Sequence, residues 1–151
     1  MGAAKFYQLK ESPLDVALPK LVVMARAQGL RVLIRTADPD LAARLDAVLW
    51  KGPDASFLPH GIAGGPHDDA QPVLIGDVPV KGFDYVICVG GADLTAAEVT
   101  ALARSCIMFD GWDEAALAHA RSQWKALTDA GCTAQYHAQE DGRWVLKAQK
   151  N

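Results

Sequence analysis

Tyr85-Val86-Ile87-Cys88-Val89, followed by Gly90-Gly91-Ala92-Asp93, is the stretch that decides the fold. Its apolar residues run without alternation, so neither face of the strand they form is suited to water. A strand of that kind belongs in a parallel sheet covered by helices on both sides. Residues 30–35, with Val32-Leu33-Ile34 at their centre, read the same way, and Pro72-Val73-Leu74-Ile75 reads as a further strand.

Working outward, the segments between these strands carry the helical period. Asp38-Pro39 caps and opens a helix through Leu41, Leu45, Val48 and Leu49. Upstream, residues 5–9 form a first strand; Ser12 then supplies an N-cap and Pro13 the first helical position, ahead of Leu14, Leu18, Leu21, Val22 and Ala25. Pro19 predicts a kink in that helix, or a start delayed to near Leu18, and Gly29 ends it. Residues 61–69, rich in Gly, Pro, His and Asp, read as a long mobile loop. Downstream come a short helix over 95–103, a strand over 105–109, and a regular helix capped by Asp113 and ended by Gly131. On it Ala116, Ala120, Trp124 and Leu127 form one stripe with Leu117 beside it, while Arg121 and Lys125 stand four residues apart. Strands over 133–138 and 143–147 flank Glu140-Asp141-Gly142, a hairpin turn sequence. The order predicts a three-layer, Rossmann-like α/β fold: a mostly parallel central sheet, helices on both faces and a C-terminal β-hairpin.

At 151 residues the chain suits one domain, 1–151, which buries about 70% of the surface of its unfolded form. No apolar run approaches the roughly 20 residues needed to span a bilayer, and the N-terminus has no signal-like segment, so a cytoplasmic protein with no membrane contact is expected. Cys88, Cys106 and Cys132 are odd in number and scattered, as buried free thiols are. A net charge of -3 argues against a broad phosphate-binding surface and leaves room for a small basic pocket.

No catalytic centre emerges. Gly90-Gly91 after a strand could approach a phosphate, which keeps a small nucleotide-dependent enzyme as the alternative reading, yet G-x-G-x-x-G is missing and Asp93 sits where an anion should. A tight strand-to-helix turn is the simpler account. His60, His67, Asp68 and Asp69 include metal-capable groups, but in a glycine-rich loop with no helix to orient them, so no metal and no cofactor are expected. There is no G-x-S-x-G elbow and no cysteine beside a histidine.

The remaining features favour recognition of other proteins. Trp50 ends a helix just before Gly52-Pro53, and Phe57 follows in a short Ser-Phe-Leu strand that runs into Pro59 and His60. Either aromatic could be a core residue; together they could form a hydrophobic anchor. Arg121 and Lys125 with Trp124 between them form either a solvated helix face around an ordinary tryptophan or a seat for an acidic peptide and its terminal carboxylate.

Phe6-Tyr7-Gln8-Leu9, Gly29-Leu30-Arg31-Val32-Leu33-Ile34, the run from Arg44 through Leu49-Trp50, Ser56-Phe57-Leu58-Pro59-His60 and Gln71-Pro72-Val73-Leu74-Ile75 together resemble the chi subunit family of bacterial DNA polymerase III. The resemblance covers nearly the whole chain, and Gly142-Arg143-Trp144-Val145 looks like members that carry a C-terminal hairpin. It implies a non-catalytic accessory subunit of the clamp-loader assembly that binds the acidic, aromatic-ended C-terminal tail of single-stranded DNA-binding protein and docks on the psi subunit. By position, the resemblance assigns Arg121, Trp124 and Lys125 to the tail, and Trp50, Phe57, Pro59 and His60 to psi or to a helicase using the same surface. DNA would then be met only indirectly. Trp124 stands where the family is known to carry a tyrosine, and Leu117 where it can present a lysine.

Overall fold

The computed structural model describes residues 3–51, 60–65 and 68–150. Its strands are β1 (Ala3–Leu9), β2 (Val32–Arg35), β3 (Gly61–Ile62), β4 (Val73–Ile75), β5 (Tyr85–Cys88), β6 (Arg104–Asp110), β7 (Thr133–Glu140) and β8 (Arg143–Lys150). All join one sheet in the order β3-β4-β2-β5-β6-β1-β7-β8. Pairings are parallel except the last, where β8 runs back along β7. The helices are α1 (Leu14–Ala27), α2 (Pro39–Trp50), α3 (Ala96–Ala101) and α4 (Glu114–Asp129).

The unbroken apolar runs are central, as expected: β2, β4 and β5 are buried at every position. Successive residues of a strand point to opposite faces, and the core divides accordingly. On one face Ile34, Ile87 and Met108 pack with Leu18 and Val22 of α1 and Leu45 and Leu49 of α2. On the other, Phe6, Leu33, Val86 and Ile107 pack with Val99 of α3 and with Ala120 and Leu127 of α4. The three cysteines are buried free thiols, and burial pushes the Cys106 thiol up to about 12.

Several local expectations need correction. Helix α1 runs through Pro19 without a break. The missing N–H forfeits one bond in the second turn, a loss outweighed by burial of Leu18, Val22 and Ala25. Its N-cap is Pro13, with no side-chain cap. Ser12 turns elsewhere: its hydroxyl accepts from Gln139 Nε2 at 2.6 Å, while Gln139 Oε1 accepts the backbone N–H groups of Lys10, Glu11 and Ser12. Residues 61–69 are not one loose loop where they are described. Gly61–Ile62 pair with β4, and the Asp68 carboxylate accepts from the Gly64 and Gly65 amides. The strand expected at Ser56-Phe57-Leu58, together with Pro59 and His67, lies outside the described residues.

The hairpin turn follows its sequence. Asp141 and Gly142 have φ of 53° and 78°, the left-handed pair that a two-residue turn requires. The Glu11 carboxylate accepts both of their amides at 2.8 Å, fastening the hairpin tip to the β1–α1 connection.

Candidate protein-binding surfaces

Helix α4 begins where Asp113 accepts from the amides of Ala115 and Ala116, satisfying donors that have no intrahelical partner. Its inner stripe packs on β6 and β7. Trp124 sits at the rim of that contact, half-buried, its edge on Phe6 at 5.4 Å and on Tyr136 of β7 at 6.1 Å. Tyr136 in turn stacks on Phe6 at 6.4 Å and meets Phe109 edge-on at 6.0 Å. The tryptophan is therefore both core residue and surface wall.

Arg121 is exposed and forms no ion pair among the described residues. Arg121 stands three residues before Trp124 on α4, so the two share a helix face; burial pushes the Tyr136 hydroxyl up, and the Arg121 charge pulls it partly back. Lys125 is differently placed: its Nζ donates to Asp129 at 2.7 Å, one turn further on. Leu117 packs half-buried against the core and supplies no cation. Arg121, Trp124 and Tyr136 thus form one corner, with Lys125 at its margin. Sequence reasoning missed Tyr136, although its place in an alternating strand beside the helix was a usable signal.

The second surface lies at the other end of the sheet. Trp50, the last residue of α2, is 58% exposed, and its ring leans on His60 at 4.6 Å. His60 is buried, with Nε2 3.2 Å from both the Asp46 carbonyl and the Asp46 carboxylate. It supports the tryptophan from a buried position. Ile62, on edge strand β3, adds an exposed apolar side chain nearby in the chain. Phe57 and Pro59, expected beside Trp50, lie outside the described residues.

A cleft of about 1030 Å³ opens at the C-terminal ends of β1, β2, β5 and β6, the position where open α/β sheets bind ligands. Here, however, Asp38 and Asp113 already occupy the α2 and α4 N-termini, and Thr95 with Glu98 forms a capping box on α3. These groups fill the places a phosphate would take. Gly90 (φ 62°) serves packing: a Cβ there would meet Leu41 Cδ2 at 2.6 Å. Asp93 faces His119 at 2.7 Å. Among the described residues no group of three or more His, Cys, Asp or Glu could hold a metal ion, and no helix is long and apolar enough to cross a membrane.

Fold and surfaces define a three-layer α/β protein with an eight-stranded sheet, an exposed tryptophan near one edge and an arginine–aromatic corner near the other. The family model for the DNA polymerase III chi subunit, HolC, matches residues 1–135, and the chain belongs to that family, whose members are accessory subunits of the polymerase. It is also 41% identical over 78 residues to DNA polymerase III subunit chi of Escherichia coli, a match covering 46% of this chain and 53% of that protein. The chain thus spans about half the length of this curated relative.

Proposed function

We propose that this chi-family protein is a non-catalytic adaptor of the cytoplasm, joining the polymerase assembly to single-stranded DNA-binding protein. Arg121 and Trp124 receive the acidic C-terminal tail, with Lys125 at the margin, and Trp50 docks the psi subunit or a helicase using the same surface. Phe57, Pro59 and His60 belong to that second patch by sequence position, His60 as the support of Trp50.

The observation that carries the reading is the corner itself. A guanidinium with no ion pair among the described residues shares a helix face with Trp124, whose ring packs half-buried on Tyr136, and a peptide ending in an aromatic residue and a carboxylate complements both. Arg121 pairs with the terminal carboxylate or an adjacent acidic side chain, while the last ring packs against Trp124. Lys125 takes part only by sharing or releasing Asp129, so its truncation has the smaller effect.

A hydrogen bond to a charged group contributes about 1.5–3 kcal/mol, so Arg121→Ala weakens tail binding by about one to two powers of ten. Isothermal calorimetry of the full chain with a tail peptide tests this. Equal affinity for wild type and variant would overturn the assignment.

A further inference from the structure

The side chains of Lys5 and Tyr7 leave β1 on the sheet face that carries α1, the face opposite α4. Helix α1 packs over β2 and β6, and after β7 the chain turns back as β8 instead of forming another helix. Among the described residues no helix covers the outer part of this face. On it lie Tyr7, His137 and Trp144, with Tyr7 5.4 Å from the His137 ring and 4.8 Å from the Trp144 ring. Trp144 is 37% exposed, and Leu146, opposite His137, is 47% exposed.

At its lower end the shelf opens into a cavity of about 420 Å³ between α1 and the sheet, to which Lys5, Tyr7, Met24 and Arg104 contribute. Among the described residues no Asp or Glu lines it. Neither Lys5 nor Arg104 forms an ion pair among the described residues. Residue for residue the face carries two free cations and three neighbouring aromatic rings.

We propose that this face binds single-stranded nucleic acid, with phosphates held by Lys5 and Arg104 and bases stacked along Tyr7, His137 and Trp144. The exposed Trp144 ring, with half-buried His137 and Tyr7 behind it and a basic groove alongside, offers the kind of stacking surface that sequence-tolerant binding of single strands uses, because every base has a π-face. The net charge of -3 does not oppose it, since charge is unevenly spread. Asp38, Asp40, Asp110 and Asp113 gather at the cleft on the C-terminal ends of the strands, whereas the cavity lies at the N-terminal ends of β1, β5 and β6. An extended peptide added to the β8 edge is disfavoured, because that edge carries Arg143, Lys147 and Lys150 and the β7–β8 ladder is broken by a bulge at Tyr136/His137. The site is independent of the tail corner, being on the other face of the sheet. Most of its shelf, His137, Trp144 and Leu146, lies beyond the residues 1–135 that match the family model.

Fluorescence anisotropy of the full chain with a labelled oligothymidylate of about 20 nucleotides tests the proposal. Trp144→Ala is expected to weaken binding about tenfold, Trp144→Phe to retain it within a few-fold, and an abasic oligomer to bind more weakly than the thymidylate. Two phosphate contacts give log K against log salt a slope of about −1.4, and Lys5→Ala with Arg104→Ala flattens it toward zero while tail-peptide binding is unchanged. Should Trp144→Ala fail to fold, judged by its melting curve, the Lys5→Ala, Arg104→Ala protein carries the decision. The proposal is overturned if the oligomer shows no saturable binding at about 100 μM protein in low salt, or if the variants bind it as wild type does. It is equally overturned if a Glu-rich peptide of matching charge displaces it as well as unlabelled thymidylate does, since the face would then be a seat for acidic peptides.

Discussion

Replacing Glu98 by Gln removes the charge that neutralises Arg35, whose guanidinium is almost wholly buried at the end of β2. Arg35 Nη1 and Nη2 donate to the two Glu98 oxygens at 2.9 and 2.8 Å, and to the Asp93 and Val78 carbonyls at 3.0 and 3.1 Å. The pair locks α3 to the sheet. In the variant the amide NH2 faces a guanidinium N–H, donor against donor, and a buried cation is left without its counter-charge. Breaking a buried pair from one side costs about 3–5 kcal/mol; because the Glu98 side chain is 22% exposed, we take the lower end, about 3 kcal/mol. For a chain of this length that is a fall in Tm of about 6–12 °C by circular dichroism. Removing both partners, with Arg35→Met added to Glu98→Gln, is expected to recover part of the loss. Acid supplies a second readout. Hydrogen bonds from Arg35, ahead of those from Thr95, hold the Glu98 carboxyl below its usual value, so the folded state binds fewer protons there than the unfolded state. The stability this contributes is full above the unfolded value of about 4.3 and is lost as pH falls through the depressed one. The gap between wild type and Glu98→Gln therefore narrows as pH falls below about 4.3 and through the depressed value. A loss below about 1 kcal/mol at neutral pH, or a gap that widens in acid, would refute the reasoning.

Gly111→Ala places a Cβ 2.8 Å from the Leu9 carbonyl and 2.6 Å from Gln8 Cγ, and is expected to cost about 1–3 kcal/mol in denaturant titrations and to shift the start of α4. Trp50→Ala and Arg121→Ala are expected to be independent: in calorimetry each leaves the other surface's ligand bound within about 0.5 kcal/mol of wild type, as distant sites do.

Features set by a few neighbouring residues were readable in the chain. The unbroken runs in β2 and β5, the Asp38 and Asp113 caps and the Asp141-Gly142 turn each follow from local sterics or local hydrogen bonds. The strand order was not, because β1 lies between β6 and β7, and nothing in a parallel strand names its neighbours. The delayed helix start that Pro19 allowed did not occur for a related reason: a local penalty was set against burial that only the sheet supplies. At the surfaces, Arg121 and Trp124 were legible as helix neighbours, but Tyr136 joins them across the fold. The Lys125–Asp129 pair was open to inspection at i and i+4, and would have moved Lys125 to the margin from the start. That His60 is buried against the Trp50 ring was likewise a matter of tertiary structure and not of local sequence.

The sheet also decides how the two proposed docking patches relate. Trp50 and His60 lie beside edge strand β3, and α4 packs on β6 and β7, so the patches sit toward opposite ends of the strand order. From β3 to β7 is six strand steps of about 4.8 Å, roughly 29 Å, and α2 and α4 cover opposite faces. That exceeds the Debye length of about 8 Å at physiological ionic strength several times over, so charge brought to Arg121 by one partner is screened before it reaches Trp50. Two partners of ordinary size can then be held together without competing for surface. Coupling between them would require an element with two arrangements. The parallel ladder between the patches, buried at every position of β4, β2 and β5, is instead a stiff spacer, which suits the adaptor role proposed above.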